Sequence, residues 1–371
     1  MKILIYTGYH TNKLSKGRYL DEGVGGTEYC AIKLAEQLVK KGHIVTFSGY
    51  VENEVVDGVH YVHLEDLQRY QSPIALNEDN KLRSYAHYDV VIAQQYIHYF
   101  RELARKHITF DKSLFWLHNE DTWYGWFRGK MMRNNGREYL YRADMNGVVG
   151  VSKYHEDILK DNFKALGSTT RDFNTYIHSI DNAIDPSDWD NQHYDKIPGR
   201  IIWSSSPDRG LDLILENWAY WKSLVPELSL VAACPPYSKD WSRGDVNQEG
   251  IEWVGNLSPS RLREEQLKAE YWIYSSDYKE TYCITALEVM MAKCKIITNG
   301  TGNIINLMDG GKNGTIVDDN PDEIISSIIA DRNDKTVAYK NRTKLQNARQ
   351  FARNQNWVKR VNDWLNLIES V

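Results

Sequence analysis

At 371 residues the chain is longer than one hydrophobic core usually serves, so two domains are expected. A formal charge of -5 leaves no electrostatic footprint for nucleic acid, and 42% hydrophobic with 26% charged residues is the composition of an ordinary globular protein. No apolar run reaches the length of a membrane span, which excludes a transmembrane segment and leaves room only for peripheral membrane contact.

The amino-terminal MKILIYTGYH has the pattern of a short strand rather than a signal peptide. Strands are expected at Lys2–Tyr6, Ile44–Ser48, Asp89–Gln94, Leu114–His118 and Gly147–Ser152. Between the first two, a helix from Thr27 to Lys41 sets Cys30, Ala31, Leu34, Ala35 and Leu38 on one face and stops at Gly42. The alternation implies crossover connections and a parallel sheet covered on both faces. The polar, turn-rich stretch NAIDPSDWDNQHYDKIPG carries Pro186 and Pro198 and marks the domain junction. Beyond it the plan repeats, with strands at Ile201–Ser205, Leu228–Ala233, Ile251–Val254, Tyr271–Tyr274, Lys295–Thr298 and Thr315–Val317. From about Asn341 to Val371 a helix is expected, with Trp357, Val361, Trp364 and Leu367 on one stripe. The fold class is therefore α/β, with two Rossmann-like domains facing across a cleft. Expected limits are 1–185, 186–345 and a terminal helix at 346–371 packing back on the first domain.

Several segments carry chemistry. GVGGTE, from Gly23 to Glu28, follows the first strand and opens the first helix; Gly25 and Gly26 leave backbone amides able to face an anion. It is not GxGxxG, and no acidic residue ends the second strand, which weakens a nicotinamide-dinucleotide reading. A purely structural turn fits equally. His118 closes the Leu114–His118 strand at a carboxyl edge, where a structural histidine is the ordinary alternative. The aromatic and basic cluster from Trp123 to Arg133 suits a buried helix pair first, and an acceptor-sugar platform or lipid-proximal surface second. In SSSPDRGLDLIL, Arg209 precedes Gly210 at a strand's end, where a guanidinium grips a diphosphate; a surface Arg capped by Asp208 or Asp212 is the plain alternative. Glu280 follows an apolar strand and Glu288 lies eight residues on, roughly 12 Å along a helix, too far to serve one atom but suited to the two ends of an elongated ligand.

No metal is expected. Asp188-Trp189-Asp190 has the DxD pattern but sits in the junction, and His60 and His63 fall in a strand without a third ligand. Cys30, Cys234, Cys283 and Cys294 show no ligand spacing and are read as reduced thiols of a cytoplasmic protein. The twelve tryptophans and twenty-four tyrosines suit carbohydrate stacking, yet core filling is the main role expected of them.

Taken in order, GGTE, GHIV after the first helix, His118, GVVGVS, NAID, SPDRGL, VGNLS and the Glu280/Glu288 pair resemble the family 4 retaining glycosyltransferases of the GT-B fold, over nearly the whole chain. The resemblance implies transfer of a hexose from a nucleotide-diphosphate sugar to a glycan or glycoconjugate acceptor, without a metal or other cofactor. It implies that Glu280 holds sugar hydroxyls, Glu288 the ribose, and Arg209 with the amides of Tyr282 and Cys283 the diphosphate, while His118 lies near the transferred sugar and Gly25 and Gly26 line the donor. The chain departs from the family at three points. Ser204 replaces a second basic residue, so another cation compensates or the diphosphate is held more weakly. Cys283 stands where Gly is usual, and Thr301-Gly302 replaces a Gly-Gly pair. A nucleotide-sugar epimerase on the same fold and a non-catalytic nucleotide-sugar-binding subunit are the alternatives.

Overall fold

The structure, a computed structural model, describes residues 1–8, 16–67, 86–95, 99–120, 145–165, 176–190, 192–234 and 248–371. The Trp123 to Arg133 cluster lies outside these residues. The chain forms two compact units, Met1–Lys16 with Gly26–Asp181 and Trp357–Val371, and Gly17–Gly25 with Asn182–Asn356.

The first unit is built on an eight-stranded sheet of order β3-β4-β2-β1-β5-β6-β7-β8. Its strands are β1 (Lys2–Gly8), β2 (Ile44–Gly49), β3 (Glu54–Val56), β4 (Val59–His63), β5 (His87–Gln94), β6 (Thr109–Trp116), β7 (Gly147–Gly150) and β8 (Ile177–Ser179). All pairs are parallel except β3 with β4. Ile3, Leu4, Ile5 and Tyr6 are successive and fully buried, as a central strand covered on both faces requires. The helix Gly26–Lys40 buries the expected face and ends at Gly42, whose φ of 85° lets His43 N donate back to Leu38 O at 3.1 Å.

The last helix, Trp357–Ser370, completes this unit. Its stripe of Trp357, Val361, Trp364 and Leu367 is buried, with the Trp364 ring 4.9 Å from Trp116, and Lys112 Nζ donates to Ile368 O at 2.8 Å. The single helix expected from Asn341 is in fact two, Lys335–Asn354 and Trp357–Ser370. They part because Gln355 O accepts from Ile184 N at 3.1 Å and Asn356 bridges Ile184, so a tertiary backbone bond takes groups that a continuous helix would use. The division of the chain accordingly falls after Asp181 and after Asn356, against 185 and 345 in the sequence-based limits.

The second unit holds a six-stranded, wholly parallel sheet of order β11-β10-β9-β12-β13-β14. These strands are β9 (Ile197–Trp203), β10 (Ser229–Ala233), β11 (Ile251–Gly255), β12 (Ala269–Tyr274), β13 (Lys295–Thr298) and β14 (Thr315–Ile316). The chain winds outward from β9 to β11, then starts again at β12 on the other side of β9 and winds outward to β14. Strand order thus reverses between β9 and β12, the place beyond whose carboxyl ends a doubly wound sheet ordinarily binds its ligand. Trp203, Trp218, Trp221 and Trp272 are fully buried here, so aromatic side chains do fill the core. Residues 17–25 join this unit: Asn256 Nδ2 donates to Glu22 O, and Gly23 turns with φ 74° where a Cβ would come within 2.9 Å of Leu257 O. GVGGTE is therefore divided, Gly25 going with the second unit and Gly26 opening the helix of the first.

Candidate active site

The two loops at the strand-order reversal meet backbone to backbone. After β9 the chain makes one 3-10 turn, Pro207–Arg209, and leaves it through Gly210 at φ 108°. A Cβ on Gly210 would collide with Ser275 O in the loop after β12, so only glycine allows both the turn and the approach. This contact brings Arg209 Nη1 to 2.8 Å from Glu280 Oε1. The same oxygen accepts from the Tyr274 hydroxyl at 2.6 Å, and the Arg209 guanidinium lies over the Tyr278 ring at 4.2 Å. Burial, and then Glu280, push the Tyr274 phenol well above its ordinary range, so it acts as a donor.

The loop after β13 closes the other side. Asn303 N donates to Glu280 O at 2.7 Å, and Asn299 Nδ2 donates to Ser276 O at 2.9 Å. Gly302 has φ 67°, and a Cβ there would lie 2.5 Å from Glu280 N and 2.6 Å from Glu280 O. Of the two positions Thr301 and Gly302, the one that must lack a side chain has kept its glycine.

Glu280 leads through Thr281, Tyr282 and Cys283 into the helix Ile284–Met291, whose amino-terminal amides open on the Glu280 loop. Cys283 caps this helix at φ 73°, a left-handed conformation that explains why glycine is usual there. Burial, and secondarily Glu280, push its thiol well above the usual range, which makes it a poor nucleophile. Glu288 lies on the same helix and its Oε2 accepts from Gln266 Nε2 at 2.9 Å, Gln266 itself being buried. Burial raises the Glu288 carboxyl, and the Gln266 bond works against that rise.

Asp188 and Asp190 are anchors within the second unit. Asp188 Oδ2 pairs with Arg263 at 3.0 Å, while Asp190 pairs with Arg349 at 3.4 Å and with Arg353. Both carboxylates are thus matched by guanidinium groups. Among the described residues, one group has the spacing for a metal: His87, Asp89 and Asp111, at the amino-terminal ends of β5 and β6. Its members already have partners, Lys2 N donating to Asp89 Oδ2 at 2.6 Å and Thr109 Oγ1 lying 3.0 Å from His87 Nδ1.

His118 belongs to the first unit, two residues past the end of β6. Gln94 Nε2 donates to Thr27 O at 3.0 Å and lies 2.9 Å from His118 Nε2, so the amide N–H makes that ring nitrogen the acceptor and puts the ring proton on Nδ1. Burial, with His155 nearby, lowers the His118 pKa to about 3, which keeps the imidazole neutral.

The structure therefore brings Arg209, Glu280, Tyr282, Cys283 and Glu288 together in the second unit, and keeps His118 and Gly26 in the first. Sequence reasoning missed the residues that hold these side chains: Tyr274, Gln266 and Asn303 in the second unit, and Gln94, which bonds His118, in the first. Tyr274 carried a signal, a phenol closing a strand directly before the Glu280 loop. The other three are polar residues whose partners are distant in sequence, and nothing local marks them.

Two doubly wound parallel sheets make this the GT-B fold. Residues 204–351, which include Arg209, Glu280 and Glu288, match the family model described as "Glycosyl transferases group 1". Similar solved structures include sucrose-phosphate synthase from Thermosynechococcus elongatus, with TM-score 0.69 and 15% identity over 100% of this chain and 99% of that one. HepE from Anabaena, solved in complex with UDP and glucose, has TM-score 0.67 and 13% identity with 100% of both chains covered. The N-terminal domain of Candida albicans trehalose-6-phosphate phosphatase has TM-score 0.67 and 12% identity over 100% of this chain and 96% of that one. Among curated protein sequences none matches the chain.

Proposed function

We propose that the protein is a retaining hexosyltransferase that takes its sugar from a nucleotide-diphosphate donor and passes it to a glycan or glycoconjugate hydroxyl without a metal ion. The observation that carries this is the joining of Arg209 and Glu280 where strand order reverses, the place at which a doubly wound sheet offers a ligand crevice. The group 1 match over that region and the UDP and glucose bound to HepE point the same way.

In this scheme Glu288 takes the ribose, Glu280 the sugar hydroxyls, and Arg209 with the amides at Tyr282 and Cys283 the diphosphate. His118 contacts the sugar as a neutral group. The acceptor oxygen bonds to the anomeric carbon as the bond from that carbon to the diphosphate oxygen breaks, on one face of the ring. The acceptor's proton passes to the departing diphosphate oxygen, whose growing charge Arg209 stabilises. No second carboxylate pair of the glycosidase kind is needed.

The test is incubation with a panel of UDP- and GDP-sugars in excess EDTA, following release of the nucleoside diphosphate. Release from one donor, with the anomeric configuration kept in the product, is the expected result. Interconversion of two nucleotide sugars without release would make the protein an epimerase, and binding without turnover a non-catalytic subunit. Loss of release in EDTA with recovery on manganese would overturn the metal-free route.

A further inference from the structure

Two consecutive glutamines at the carboxyl end of β5 both turn their side chains to His118. Gln94 is the last residue of that strand and pairs in register with Trp116 of β6. Its Nε2 donates to Thr27 O at 3.0 Å and stands 2.9 Å from His118 Nε2. Turning the amide over would set Oε1 against the Thr27 carbonyl, acceptor to acceptor, so the nitrogen is the end that faces the ring. An amide N–H needs a lone pair to meet, so His118 Nε2 is unprotonated and Nδ1 carries the proton. Gln95 holds the same residue by its backbone. Its Oε1 accepts from His118 N at 2.9 Å, and its own N donates to Trp116 O at 2.8 Å.

This arrangement is kept at a cost to stability. Gln94, Gln95 and His118 are all buried. Gln94 Oε1 has no hydrogen-bond partner among the described residues, and an acceptor buried in that way destabilises the fold. Gln95 stands at φ 72°, a left-handed backbone conformation that strains an L side chain. A side chain chosen for stability alone would not leave a buried acceptor unpaired, and a residue chosen only to turn the chain would be glycine. Strain and an unpaired acceptor converge here on one imidazole, which marks it as the group being held.

A histidine acts as a base through an unprotonated ring nitrogen, and the one that His118 has is taken up by the Gln94 N–H. What remains is a neutral ring that can offer a ligand oxygen only an N–H. We propose that Gln94 and Gln95 are positioning residues: they hold His118 in the Nδ1–H form, so that in the sugar transfer proposed above it serves as a hydrogen-bond donor and takes no proton from the acceptor. The role in transfer rests on that reading; the tautomer does not.

Nuclear magnetic resonance of the ring nitrogens reads the tautomer in the ligand-free full chain, the His118 signals being identified by their loss in His118→Gln. The expected result is a protonated Nδ1 and an unprotonated Nε2 in the wild type. That fixed form should be lost in Gln94→Met, where no N–H faces the ring. With the nucleotide sugar found in the panel, kcat/KM should fall at least about tenfold in Gln94→Met, while Kd for the free nucleoside diphosphate, which has no sugar, stays within about twofold. Should Gln94→Met fail to fold, Gln95→Gly takes its place. Glycine accepts φ 72° without strain, so this variant should be no less stable than the wild type and yet lose turnover in the same way. A protonated Nε2 in the wild type, or wild-type turnover in a folded Gln94→Met, would overturn the inference. A fixed Nδ1–H form in a protein that turns over no donor would uphold the clamp and remove the transferase reading.

Discussion

Arg209 and Glu280 stand 71 residues apart in sequence and 2.8 Å apart in space, Nη1 to Oε1. One residue ends the loop after β9 and the other lies in the loop after β12, the two strands between which the winding of the sheet reverses. Their pairing depends on a contact that involves neither side chain, the approach of Gly210 to the carbonyl of Ser275.

Gly210→Ala is accordingly expected to damage the site from outside it. An alanine at φ 108° is strained, and its Cβ would push against Ser275 O. Stability should fall by about 2 kcal/mol or more, read by denaturant unfolding, and Arg209 should lose its register with Glu280. A variant as stable and active as the wild type would show that the loops do not need this contact.

Glu288→Ala should weaken binding of the nucleoside diphosphate. Loss of a charge-assisted hydrogen bond to a ribose hydroxyl is worth roughly 1.5–3 kcal/mol, about ten- to a hundredfold in Kd. Gln266→Ala should do the same to a smaller degree, since Gln266 holds the carboxylate at 2.9 Å. Calorimetry giving an unchanged affinity for Glu288→Ala would remove the ribose assignment.

At Cys283 glycine should be preferred to alanine by more than an ordinary helix cap requires. Glycine already outranks alanine at an N-cap, and at φ 73° an L side chain carries a further penalty of about 1–2 kcal/mol that glycine escapes. Cys283→Gly should therefore unfold at a higher denaturant concentration than Cys283→Ala, and both should keep turnover because the buried thiol takes no part in the chemistry. The reverse order of midpoints would contradict the strain argument.

Acid should destabilise the first unit through its neutral histidines. Burial holds His118 at about 3 and His155 at about 4, against 6.5 for the ordinary side chain. Between these values the unfolded chain binds protons that the folded chain refuses, so stability is retained above about pH 6.5 and declines as pH falls below it. The slope should approach 1.4 kcal/mol per pH unit for each histidine, and His155→Gln should flatten it. An unfolding free energy constant from pH 6.5 to 4.5, or an unflattened slope in the variant, would mean that these rings are protonated in the folded protein.

The strands and the site loops were legible in the sequence because they are local. Ile3 to Tyr6 form an apolar run, Gly42 ends a helix, and Glu280 and Arg209 each follow a strand and precede a helix. The supports were not legible, because Gln266 under Glu288 and Asn303 beside Glu280 are defined by partners across the fold. The break at Gln355 and Asn356 was hidden for the same reason: the bond that ends the helix comes from Ile184. The roles of Asp188 and Asp190 were equally distant, resting on Arg263, Arg349 and Arg353.

The central claim is that this crevice stabilises a departing diphosphate, and the turnover of Arg209→Ala tests it most directly. Arg209 should face charge that grows as the glycosidic bond breaks, and such an interaction appears in kcat more than in ground-state binding. Ser204 occupies the place of a second cation, so the loss should be large. With the donor found in the nucleotide-sugar panel, kcat should fall by about a hundredfold or more while affinity for the free nucleoside changes little. A kcat near that of the wild type would contradict the account.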